Sequence, residues 1–68
     1  MPEIVIYLAE GRSPEKKRAL MKDISDAVVR HADVSEEAVT ISIMETPKVN
    51  KMKGGLLFTE RNAPKPAS

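Results

Sequence analysis

The hydrophobic pattern of the chain switches from strand-like to helix-like and back. From Ile4 to Ala9, IVIYLA, apolar residues occupy both alternating faces and include β-branched and aromatic types, as in a strand covered on two sides. One face is expected to meet a helix and the other a partner subunit. Gly11 ends the run, and Ser13, Pro14 and Glu15 then supply an N-cap, a first-turn proline and an acid at the positive end of a helix dipole. From Pro14 to about Ala32, Leu20, Met21, Ile24, Ala27 and Val28 recur at spacings of three and four, while Lys16, Lys22, Asp23, Asp26 and Arg30 fall elsewhere. This is an amphipathic helix laid on one sheet face. After the break at HADVSEEA, where Ser35 can cap a short turn, Val39, Ile41 and Ile43 alternate with Thr40, Ser42 and Met44. That is the period of a second strand.

Strand, helix and strand form a βαβ unit, whose right-handed crossover leaves its strands parallel. Beyond Glu45 the pattern weakens. TPKVNKMKGG reads as a loop or hairpin, LLFTE as a short third strand, and RNAPKPAS as a tail or an arm ordered on a neighbouring subunit. The expected architecture is α+β: a single domain over residues 1–68, one parallel βαβ unit plus a short C-terminal hairpin or strand, with residues from about 60 onward as the tail.

Size changes this picture. A chain of 68 residues is one small domain, and a lone domain near this size buries only about 60% of its unfolded surface. It holds no cysteine and one histidine, His31, so neither disulfides nor a metal cluster supplies the missing stability. Oligomerisation remains. Eleven basic residues against ten acidic ones leave a formal charge of +1, and aromatic content is 3%, which argues against a nucleic-acid partner. No run approaches the ~20 apolar residues of a membrane span, and no signal peptide is evident. A cytoplasmic protein without a membrane partner is expected.

The usual catalytic constellations are missing, which directs attention to Pro2. Methionine aminopeptidase removes Met1 when the next residue is small, and the proline then carries a free secondary amine at the first position of a strand. An α-amino group has a reference pKa of about 8, and a nearby cation such as Arg12 lowers it by disfavouring the charged form. A neutral amine near pH 7 can act as a general base.

Pro2, the apolar strand, EGRS at Glu10 to Ser13, the helix beginning PEKKRALMKDISDAV, the strand VTISIMET and the pair Gly54-Gly55 together resemble the 4-oxalocrotonate tautomerase family over roughly residues 2–56. The resemblance implies a trimer of dimers with sites completed by neighbours, and no cofactor. It implies Pro2 as the base that shuttles a proton in a small 2-hydroxy-dienoate or 2-oxo acid such as 2-hydroxymuconate. Arg12 would bind the substrate carboxylate. It also exposes two departures: the family's second arginine falls on Thr40 and its loop aromatic near Lys51. Lys48, Lys51 or Lys53 can supply a replacement cation, with Lys51 and Thr40 taken as candidate substrate contacts. Phe58 can line a pocket, while His31 complements the end of the helix dipole.

Other readings follow from the same departures. A chain lacking one arginine can serve as a non-catalytic or site-completing subunit of a hetero-oligomer. The ending TERNAPKPAS looks like that of one subunit of a two-chain dehalogenase of the superfamily, so a dehalogenase or hydratase activity is a further alternative.

Overall fold

The computed structural model describes residues 1–61. The elements are β1 (Glu3–Ala9), α1 (Pro14–Ala32), β2 (Thr40–Thr46), β3 (Met52–Lys53), β4 (Leu56–Leu57) and α2 (Phe58–Arg61). β1 and β2 pair in parallel, from Glu3 opposite Thr40 to Ala9 opposite Thr46, and α1 crosses between them as the alternation of periods predicts. Ser13 Oγ accepts the Lys16 N–H at 3.2 Å, so one of the unpaired donors at the helix start is satisfied as its capping role requires. The helix stops at Asp33, which adopts the left-handed conformation at φ 57°.

Register and helix phase decide which face is covered. Ile4, Ile6, Leu8, Ile41 and Ile43 are half-buried beneath α1, whose Met21, Ile24, Ala27 and Val28 are likewise half-buried. Leu20, assigned above to the same stripe, instead lies at its margin with 36% exposure. On the opposite sheet face Val5, Tyr7 and Met44 stand open, Tyr7 at 71%. No side chain among the described residues is fully buried in the single chain. Full burial of one aliphatic or aromatic side chain stabilises by about 1.5–3 kcal/mol. Much of that stabilisation is therefore unrealised until the open face is covered.

Ion pairs fasten α1 to the end of β2 and to the turn that precedes β2. Lys17 Nζ lies 2.9 Å from Glu45 Oε1 at the end of β2, while Lys22 Nζ reaches Glu36 Oε2 at 2.6 Å and Asp26 Oδ1 at 3.2 Å. Glu36 belongs to the 3₁₀ turn Glu36–Ala38 that delivers the chain into β2. The Lys22 ammonium is held above its ordinary range, first by the Glu36 hydrogen bond and then by Asp26. A raised lysine contributes stability below its unfolded pKa and loses it as pH rises through the folded value, so this tie is intact across neutral pH.

The C-terminal segment corrects one expectation. LLFTE is not a continuous third strand: only Leu56 and Leu57 are extended, paired antiparallel with Lys53 and Met52, and the chain turns helical at Phe58. Glu60 Oε1 accepts the Leu57 N–H at 2.6 Å, the return half of a capping box, which ends the strand and starts α2. The hairpin turn is Gly54-Gly55, at φ 61° and 81°, the paired positive values that a tight two-residue turn of type I′ requires. Arg61 locks the turn by donating from Nε and Nη2 to the Lys53 carbonyl at 3.1 and 2.9 Å. Of the tail expected from about residue 60, Glu60 and Arg61 belong to α2, and residues 62–68 lie outside the described residues.

Candidate active site

The candidate residues separate into two groups at opposite ends of β1. Pro2 precedes the strand, and its carbonyl accepts the Thr40 N–H at 3.1 Å, which sets Thr40 beside it at the start of β2. Arg12 follows the far end. β1 is 7 residues long, and at about 3.3 Å per residue it keeps Pro2 and Arg12 more than ~20 Å apart within one chain.

Arg12 lines a cavity of about 380 Å³ with Ala9, Glu10, Gly11, Lys48 and Phe58. Each wall has a local cause. Glu10 continues the sheet pairing through its N–H to the Thr46 carbonyl at 3.0 Å, and Gly11 then turns the chain at φ 128°. Arg12 Nη1 donates to the Ala9 carbonyl at 3.1 Å, which folds the guanidinium back toward the strand end and leaves its other donors for a ligand. Pro47 ends the sheet excursion, and Lys48 opens the 3₁₀ turn Lys48–Asn50. The Lys48 N–H donates to Glu10 Oε2 at 3.3 Å, tying this turn to the end of β1 across 38 residues of sequence.

Lys51 occupies a different place. Its Nζ stands 5.6 Å from the centre of the Phe58 ring, and its carbonyl accepts the Phe58 N–H at 2.8 Å. It props the aromatic wall of the cavity without itself lining it. Phe58 lines the cavity, while His31 is an exposed residue in the last turn of α1. Of the lining residues, Glu10 escaped the sequence reading, and Lys48 was named there only as one of three interchangeable lysines. Glu10 was legible only as a carboxylate next to the strand-breaking glycine, and Lys48 was marked out by Pro47 alone.

A second groove, about 290 Å³, runs between α1 and the β2 edge and is lined by Arg18, Met21, Lys22, Ser25, Val39 and Ile41. Pro2 lines neither cavity. Among the described residues, no cluster of histidine and carboxylate side chains has metal-binding geometry, and no helix is long and apolar enough to cross a membrane.

The sequence profile of the tautomerase enzyme family matches residues 2–61. The chain belongs to the tautomerase family. It is 49% identical over 63 residues to a probable tautomerase of Bradyrhizobium diazoefficiens, covering 93% of this chain and 94% of that one. It is 40% identical over 55 residues to a 2-hydroxymuconate tautomerase of Stutzerimonas stutzeri, covering 81% of this chain and 87% of the relative. A heterohexameric 4-oxalocrotonate tautomerase from Chloroflexus aurantiacus superposes with a TM-score of 0.83 at 33% identity, over 88% of this chain and 97% of that one. The parallel βαβ unit with its C-terminal strand pair is thus the tautomerase fold.

Within this tautomerase the turn at Gly11 sets the direction of Arg12. A side chain at φ 128° is strained, and a Cβ there would come within 3.6 Å of Lys48 Nζ. Gly11→Ala is expected to cost about 1–3 kcal/mol of stability. Chemical denaturation checks this, and an unshifted midpoint would show that the turn stores no such constraint.

Proposed function

We propose that this chain catalyses keto–enol tautomerisation of a small 2-hydroxy-dienoate or 2-oxo acid such as 2-hydroxymuconate, with Pro2 as general base once Met1 has been removed. The observation that carries the reading is the cationic cavity around Arg12 at one end of β1, with Pro2 at the other, in a tautomerase-family chain. The relatives named for 2-hydroxymuconate support the substrate class.

The chemistry needs no cofactor. The neutral proline nitrogen takes the proton of the enol hydroxyl as that oxygen becomes a carbonyl, and the π electrons capture a proton at a carbon of the chain. The amine's proton supplies that new C–H bond, so the base is regenerated. Arg12 pairs with a substrate carboxylate through its planar donor fork, and its charge also favours the neutral amine.

One chain cannot assemble this site, because β1 holds its own Pro2 and Arg12 too far apart. Arg12 therefore comes from a neighbouring subunit in an oligomer that also covers Val5, Tyr7 and Met44. A hexamer of identical chains satisfies both needs.

Thr40 favours a second reading. It brings a neutral hydroxyl where the family resemblance places an arginine, and a partner chain in a hetero-oligomer would restore the charge. The heterohexameric relative supports this alternative.

The test is direct. Chain purified alone should have lost one methionine by intact mass, form an oligomer by native mass spectrometry, and convert 2-hydroxymuconate. Full retention of Met1 in an active preparation would overturn the proline mechanism, and an inactive assembly of Met1-free chains would favour the hetero-oligomer.

A further inference from the structure

We infer that Lys48 joins Arg12 in holding a single carboxylate, so that the site selects a dicarboxylic substrate whose second carboxylate lies away from the reacting enol. The inference rests on the tautomerase reading above and extends it to substrate selection. Three observations carry it. Lys48 and Arg12 line the same cavity, and among the described residues neither has a carboxylate within salt-bridge distance. Lys48 is seated there: its backbone is tied to Glu10, and its Nζ and Cε lie across the open face of Gly11. The surroundings of Pro2 are different, for its carbonyl is bonded by the N–H of the hydroxyl-bearing Thr40 and the next residue in the chain is the carboxylate-bearing Glu3.

Cationic recognition is thus concentrated at the Arg12 end. An acid whose only carboxylate adjoins the enol places its charge beside the proline, away from the cavity that Arg12 and Lys48 share. A diacid spans both ends: its enol meets the proline of one subunit, while its remote carboxylate enters the cavity of another. There the guanidinium supplies a planar fork and the ammonium a mobile point charge. The Glu10 carboxylate restricts where an anion can sit to the part of the cavity that both cations reach, since it repels negative charge placed on its own side. Phe58 closes the wall with an apolar surface, suited to the carbon chain of such a substrate.

The experiment compares 2-hydroxymuconate, a diacid, with 2-hydroxy-2,4-pentadienoate, which lacks the remote carboxylate. In Lys48→Gln the ratio of kcat/KM for diacid over monoacid should fall by about tenfold, the loss appearing in KM, as expected for one charge-assisted contact. Lys48→Arg should recover most of it. Lys53→Gln, on the hairpin outside the cavity, should leave the ratio unchanged. Equal loss on both substrates, or no loss on the diacid, would overturn the assignment.

A binding arm separates this inference from the catalytic reading. Adipate, an unreactive six-carbon diacid, should bind the wild-type oligomer by calorimetry and bind Lys48→Gln about tenfold more weakly. If adipate affinity depends on Lys48 but neither enol turns over, the anion site stands and the tautomerase reading fails. If the enols turn over and Lys48→Gln changes neither selectivity nor adipate affinity, the tautomerase reading stands and this inference fails.

Discussion

Extending the N-terminus of the mature chain should abolish turnover more completely than any side-chain substitution. Placing one alanine between Met1 and Pro2 leaves the ring nitrogen inside a tertiary amide, which has no basic lone pair. A positioned general base contributes typically 10²–10⁴-fold, so kcat should fall by about that range. Pro2→Ala is the milder companion. It keeps a terminal amine but loses the ring that fixes the direction of the nitrogen lone pair, and a drop of about 10²-fold is expected, at the lower end of the same range. Steady-state kinetics on 2-hydroxymuconate, with intact mass to establish each N-terminus, checks both. An extended chain that turned over like wild type would exclude the proline as the base.

The second large effect belongs to Arg12. Truncating one partner of a desolvated ion pair costs about 2–5 kcal/mol, so Arg12→Ala should lower kcat/KM by about 30-fold to several thousand-fold. Its pH profile should move as well. Removing a cation near the amine raises the amine pKa, and the acid limb of kcat/KM should shift to higher pH. The proposed division of the site between chains gives a sharper test. Pro2→Ala and Arg12→Ala chains, each nearly inactive alone, should regain activity when unfolded together and refolded as a mixture. With random assembly about a quarter of the sites draw Pro2 and Arg12 from chains in which each is intact. No recovery in mixed oligomers, verified by native mass spectrometry, would mean that both groups act from one chain.

The elements that were legible in the sequence are those set by neighbours along the chain. Ser13, Pro14 and Glu15 announce a helix because capping, the proline φ and the dipole all act within one turn. The alternation at Ile41 and Ile43, and the helical spacing of Met21, Ile24 and Val28, give faces directly. The misread segment, LLFTE, was settled by the contact from Glu60 to the Leu57 N–H and by the Gly54-Gly55 turn, which confined extension to two residues. Leu20 was misplaced because a stripe inferred from spacing has soft margins, whereas packing against a two-stranded sheet covers a narrow band.

The sequence by itself determined the βαβ order, the helix limits and the family, and it nominated Pro2 and Arg12 as the groups to propose for chemistry. It even contained their separation, since nine residues lie between them and most are extended. Only the tertiary structure decided which lysine accompanies Arg12. Lys48, Lys51 and Lys53 are alike in composition and lie in one loop. The bond from the Lys48 N–H to Glu10 turns the first into the cavity, the Phe58 ring draws the second aside, and the hairpin carries the third away. These contacts join residues far apart in sequence, and their energies depend on how the end of β1 meets the turn after β2. No local pattern of residues encodes that meeting.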